Sequence, residues 1–132
     1  LAYTPEELEA FLAPLTDVGV DIFDCSTRRF WEPEFEGSRL NLAGWTRKLT
    51  GKPTISVGSV GLKGDFTNAF DGGPEAEAAS VEPLVERLKA GEFDLIAVGR
   101  ALLADAEWAE KIRHAREKEI HLFTKEDLKT LK

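Results

Sequence analysis

The sequence predicts an α/β protein built on parallel strands, and three observations carry that expectation. Strand candidates occur at residues 20–25, with Val20, Ile22, Phe23 and Cys25 as apolar members, at 54–57, and at 94–98, where Leu95–Val98 is an uninterrupted apolar run; a parallel strand covered on both faces reads as such a run. The stretches between them place apolar residues at helical spacing, giving the order α-β-α-β-α-β-α-α. The strands recur at intervals of roughly 30–40 residues, the size of a right-handed βαβ unit. They are therefore expected to lie parallel and adjacent, with helices on one side. This is the material of half a barrel or of a doubly wound sheet, and it is not a closed fold by itself.

The elements follow in order. Thr4, Pro5 and Glu7 make a helix start: Thr4 caps, Pro5 suits the first helical position, and Glu7 completes a capping box. Leu8, Phe11, Leu12 and Leu15 fall on one face, and Pro14 is expected to kink or shorten the helix before Gly19 stops it. The first strand ends at Cys25. Residues 26–40, STRRFWEPEFEGSRL, form a long loop. Two readings of it stand side by side. Long loops in compact domains are often functional; alternatively its aromatics pack over a sheet rim while Arg28 and Arg29 pair with Glu32, Glu34 and Glu36.

A helix over residues 41–49 turns Leu42, Trp45 and Leu49 inward and closes at Gly51 and Pro53. Strand two ends at Gly58. Residues 62–79 are irregular and acidic, with Gly72, Gly73 and Pro74 at their centre, and read as a surface loop without chemistry. Ser80 caps a helix whose inner face is Leu84, Val85 and Leu88, stopped by Gly91. After the third strand come one helical turn at 101–103, a longer helix capped by Asp105 that contains Trp108, Ile112 and Ala115, and a Thr124–Asp127 capping box before a short terminal helix.

The totals bound the rest. A chain of 132 residues supports one core and not two. Its 42% hydrophobic and 31% charged residues are those of a soluble globular protein, and the net charge of −7 argues against nucleic acid or an anionic membrane as partner. No apolar run is long enough to span a bilayer. The single Cys25 forms no internal disulfide and has no companion for a zinc site, so a reducing, cytoplasmic setting is expected. The chain opens on Leu1 rather than Met, which reads as a fragment or a processed form.

The candidate chemistry lies at two strand ends. The run PTISVGSVG stops at Gly58 and Ser59, and FDLIAVGRALL stops at Gly99 and Arg100. Glycine lets backbone amides approach a ligand, and arginine is a permanent cation. On neighbouring parallel strands these ends offer amides, a hydroxyl and a guanidinium at one sheet edge, a cradle suited to phosphate. Taken alone, Gly58 reads more readily as turn geometry. Cys25 reads as a small buried hydrophobe. His114 and His121 sit on charged, exposed stretches, and Tyr3 precedes the first helix cap; none of the three reads as catalytic.

Over DCSTRRFWEPEFEGSRLNLAGWTRKLTGKPTISVGSVGL and GEFDLIAVGRALLADAEW the sequence resembles the old yellow enzyme family, the FMN-dependent NAD(P)H:flavin oxidoreductases or ene-reductases. The likeness extends through TPEELEAFLAPL and HLFTKEDLKTL. It implies the last three βα units of a TIM (β/α)8 barrel, a fold that needs roughly 250 residues or more, and about the final third of such an enzyme. On that resemblance Gly58 and Ser59 end strand seven and Gly99 and Arg100 end strand eight around the FMN phosphate, while Ser26 ends strand six beside the flavin. The implied activity is hydride transfer from NAD(P)H through FMN to an activated alkene. The family's histidine pair or His/Asn pair, its proton-donating tyrosine and a basic residue after strand five belong to earlier segments, so the chain alone is expected to be a poor catalyst, with no catalytic residue of its own. Ala106 departs from the family, which often has proline there. FMN and a small-molecule substrate are the expected partners, with the rest of the barrel or a second copy of the chain. The competing readings are a non-enzymatic partial-barrel module and a phosphate-binding barrel without flavin.

Overall fold

The computed structural model describes residues 2–63 and 79–129. The acidic segment expected as a surface loop, with Gly72, Gly73 and Pro74, falls largely outside them. The chain divides into two compact units, one formed by Leu1–Gly58 and Glu82–Ala97, the other by Ser59–Val81 and Val98–Lys132.

The first unit holds the sheet. Strands β1 (Phe23–Ser26), β2 (Thr54–Val57) and β3 (Leu95–Ile96) lie in the order β1-β2-β3. Both pairings are parallel, with Phe23 opposite Thr54 and Ile55 opposite Leu95. The expected mixed α/β architecture with adjacent parallel strands is therefore present. Two details differ from the sequence reading. Strand β1 begins at Phe23 rather than residue 20 and includes Ser26, because Phe23 N–H reaches the Pro53 carbonyl and Thr27 N–H the Val57 carbonyl. Strand β3 is short and its Leu95 is 52% exposed. It lies at the sheet edge, where the continuous apolar run lacks the cover that an interior parallel strand has.

Helix α1 (Pro5–Asp17) starts as expected, with Thr4 Oγ1 accepting from Glu7 N–H at 3.2 Å. The reciprocal bond moves by one residue: Glu7 Oε2 accepts from Tyr3 N–H at 2.8 Å. Pro14 neither ends nor shortens the helix. It lacks only its own donor, and its carbonyl still receives Val18 N–H at 3.2 Å. Leu8 and Leu12 are buried with Phe35, and Phe23, Leu42, Trp45 and Leu49 pack around them. Phe11, expected on this face, is 47% exposed. The buried stripe follows the Leu8–Leu12 line, and Phe11 stands at its margin.

Helix α2 (Leu42–Thr50) is capped by the Asn41 side chain, which accepts from Gly44 N–H at 3.0 Å, and ends on the left-handed Gly51. Helix α3 (Glu82–Lys89) buries Leu84.

In the second unit, α4 (Arg100–Ala104) is followed by α5 (Trp108–Arg113) and by 3-10 turns at Glu117–Glu119 and Lys125–Leu128. Helix α5 is shorter than expected: Ala115 adopts φ 54° and lies beyond it. Asp105 is not its N-cap. The Asp105 carbonyl receives Trp108 N–H, while its carboxylate bonds Glu107 N–H at 3.0 Å. The Thr124–Asp127 box forms, with Asp127 accepting from Thr124 N–H at 2.8 Å and from Thr124 Oγ1 at 3.0 Å. The turn it starts is 3-10 rather than α.

No helix among the described residues is long and apolar enough to cross a membrane.

Candidate anion site

The second unit brings three of the five candidate residues into one neighbourhood. Ser59 opens a turn closed by Leu62 N–H on the Ser59 carbonyl at 3.1 Å. Its φ of 51° is left-handed, which costs a non-glycine residue roughly 1 kcal/mol or more. Trp108 lies against the same turn: a Cβ on Gly61, at φ 71°, would come within 3.0 Å of Trp108 Cζ2. Arg100 Nη2 donates to Ser59 Oγ at 3.2 Å across a sequence separation of 41 residues. The same guanidinium stands over the Phe123 ring, 5.8 Å from its centroid. Gly99 precedes α4 without a side-chain cap, and its carbonyl receives the Leu102 and Leu103 amides. Among the described residues, a Cβ at Gly99 would meet no atom within 4 Å.

Asp105, six residues before Lys111, is buried and engaged by Lys111 Nζ at 2.7 Å and His121 N–H at 2.9 Å. Burial pushes its pKa up, but the Lys111 hydrogen bond, the His121 and Glu107 amides and the Lys111 charge outweigh burial and hold the carboxyl below its ordinary value.

The other two candidates belong to the first unit. Gly58 is buried at φ 153°, where a Cβ would lie 2.8 Å from both the Thr27 carbonyl oxygen and Thr27 Oγ1. The return of the loop after β1 thus requires glycine there, without a ligand. Ser26 ends β1, is exposed, and donates its hydroxyl to Asp24 Oδ1 at 3.0 Å.

Cys25 is buried beside Phe23, its thiol held neutral. Burial raises its pKa most; a hydrogen bond with Thr46 opposes that, and the Asp24 and Glu34 charges add to the rise. The long loop is largely structural. Phe30 and Phe35 are buried, Arg29 pairs with Glu32 at 2.6 Å, and Trp31 remains 41% exposed. A cavity of about 180 Å³ between α1 and α2 is walled by Glu9 and Asp17, which disfavour an anion. Among the described residues no cluster of three or more His, Cys, Asp or Glu could hold a metal ion.

Sequence reasoning missed the buried Asn41 and the Arg87–Glu92 pair that fix the loop in the first unit, and Phe123 beside Arg100 in the second. Asn41 carries a local signal, since asparagine before an apolar helix is a cap. No spacing rule points from Arg100 to Phe123.

No model of a known protein family matches the sequence.

Proposed function

We propose that this chain is part of an FMN-dependent NAD(P)H oxidoreductase of the old yellow enzyme, ene-reductase type, contributing the last three βα units of a TIM (β/α)8 barrel. In this reading Ser59, Gly99 and Arg100 take the FMN phosphate. The observation that carries it is the 3.2 Å bond between Arg100 Nη2 and Ser59 Oγ. It joins side chains from stretches that follow two different strands, as a shared ligand site requires.

The donor set suits a phosphate monoester. The planar guanidinium can present two parallel N–H groups to phosphate oxygens. A serine hydroxyl both accepts from arginine and donates to an oxygen. At Gly99 the missing side chain leaves open space among the described residues, so an anion can approach the backbone. When bound, FMN supplies the redox chemistry. The residues of this segment hold and orient its phosphate and neutralise its charge. The reading places the protein in the cytoplasm, with NAD(P)H as reductant and a small activated alkene as substrate, and gives no role to nucleic acid or a membrane. The resemblance also assigns Gly58 and Ser26 to the flavin site, but the phosphate proposal does not depend on them.

Riboflavin, which lacks the phosphate, provides the test. Hydrogen bonds to a charged partner contribute roughly 1.5–3 kcal/mol each. Arg100→Ala in the full-length protein should therefore weaken FMN by about one to two decades and riboflavin far less. Equal weakening of both flavins, or of neither, removes Arg100 from the phosphate site. Equal affinity for FMN and for a phosphate ester without an isoalloxazine ring would favour a phosphate-binding barrel without flavin.

A further inference from the structure

We infer that the segment around Phe123 is a clamp that sets the direction of the Arg100 guanidinium, with Phe123 as a positioning residue for the phosphate ligand. This rests on the reading of Arg100 given above and deepens it.

The segment is held at two anchors. His121 N–H donates to Oδ2 of the buried Asp105 carboxylate at 2.9 Å, and Lys111 Nζ pairs with the same oxygen at 2.7 Å. Six residues further on, the Asp127 carboxylate, 3% exposed, accepts from Thr124 N–H and Thr124 Oγ1. His121 Nε2 lies 3.2 Å from Asp127 Oδ1, tying the first anchor to the second. Phe123 sits between these anchors and is itself only 3% exposed. Its ring therefore has a fixed plane, and the guanidinium carbon stands 5.8 Å from its centroid.

The chemistry of that contact is directional. A ring face attracts a cation without using any of its N–H donors. A carboxylate in the same place would hold the arginine more tightly but would occupy donors and cancel the charge that a phosphate needs. An aromatic neighbour restricts a long, rotamer-rich side chain without itself accepting any of its N–H groups, one of which goes to Ser59 Oγ. Restricting the side chain before the ligand arrives lowers the entropy lost on binding.

Two substitutions separate positioning from simple filling of space. Phe123→Leu keeps an apolar side chain but removes the ring face; Phe123→Tyr keeps the face. The Arg100 Nε–Hε signal, assigned by its loss in Arg100→Lys, is read by NMR in the ligand-free full-length protein, in which FMN and riboflavin are also titrated. The expected result is that Phe123→Leu moves the Arg100 signal and weakens FMN roughly threefold or more while leaving riboflavin unchanged, and that Phe123→Tyr restores both. An unmoved signal in Phe123→Leu overturns the clamp. So does unchanged FMN affinity in that variant when Arg100→Ala still weakens FMN, an outcome that leaves the phosphate reading standing. If Arg100→Ala does not separate FMN from riboflavin, the phosphate reading fails and the clamp's role in binding fails with it, whereas the NMR signal still reports whether Phe123 orients the arginine.

Discussion

Asn41 donates its side-chain amide to the carbonyl oxygen of Phe30 at 2.9 Å, in a setting where Asn41 is 1% exposed. The same amide reaches Ser56 Oγ at 3.0 Å, and the side-chain oxygen caps α2 through Gly44 N–H. One residue thus joins the long loop, the middle strand and a helix start. Arg87 Nη1 meets the same Phe30 carbonyl at 2.8 Å.

Asn41→Ala is therefore expected to remove a cap and leave buried polar groups without their partner. A lost cap costs about 1 kcal/mol and each stranded group about 1–3 kcal/mol. The expected loss is about 3 kcal/mol, read as a lower urea midpoint. A loss below about 1 kcal/mol would show that the loop is held by Arg87 and the buried aromatics alone.

Much of the sheet was legible in the sequence because a strand advertises itself locally: Ile55 and Val57 mark a short stretch that stops at Gly58, and the structure gives a strand at Thr54–Val57, although it is Thr54 and Ser56 that are buried. The Thr124–Asp127 box was legible for the same reason, its partners being three residues apart. The phosphate candidates were visible only as two separate strand ends. Their meeting depends on a contact 41 residues apart, which no local pattern encodes. Asn41 was read as the first residue of a helix over 41–49 although it is the cap, and its bonds to Phe30 and Ser56 span 11 and 15 residues. Phe11 and Asp105 misled for a complementary reason. Helical spacing gives the direction of an apolar face but not how far cover extends around it. A capping residue, likewise, bonds whichever amides the turn presents, here Glu107 and His121.

The glycines at the two strand ends should behave differently on substitution. Gly58→Ala places a methyl 2.8 Å from the Thr27 backbone at a positive φ, so it is expected to destabilise the protein by about 2 kcal/mol or more without any ligand. Gly99→Ala places its methyl in open space and should cost less stability than Gly58→Ala. Its effect should fall instead on FMN affinity, because the methyl occupies the approach to the backbone. Urea unfolding and flavin titration of both variants check the contrast. Equal stability losses, with FMN affinity unchanged in Gly99→Ala, would remove Gly99 from the site.

Glu92 gives the pH dependence its sign. Its side chain is 6% exposed and pairs with Arg87 Nε at 2.7 Å and Arg39 Nε at 2.8 Å. Burial raises its pKa, but the hydrogen bonds from Arg87 and Arg39 and their charges outweigh burial and bring it below the ordinary value of 4.5. A folded pKa below the unfolded one makes a contribution that is complete above about pH 4.5 and is lost as pH falls through the folded value. Wild-type stability is therefore expected to fall on acidification below about pH 4.5. Glu92→Gln should be less stable by about 2 kcal/mol at pH 7, with a shallower acid slope, so that the two proteins converge at low pH. Parallel stability curves for the two proteins would show that Glu92 does not contribute to the slope.

Ser59 combines a strained backbone with the hydroxyl that meets Arg100, and two substitutions part the two effects. Ser59→Ala removes the hydroxyl and keeps a Cβ at φ 51°; Ser59→Gly removes both. Glycine adopts the left-handed region at little steric cost, whereas alanine does not. The glycine variant is therefore expected to be more stable than the alanine variant by about 1 kcal/mol in urea unfolding. FMN binding should order the variants differently. The bond to Arg100 Nη2 disappears in both, so both should weaken FMN by about three- to tenfold, and neither should change riboflavin. Combining either substitution with Arg100→Ala should give less than the sum of the separate losses, because the two side chains act on one ligand group and on each other. Full additivity for FMN would show that Ser59 and Arg100 do not share a phosphate, even though their side chains touch.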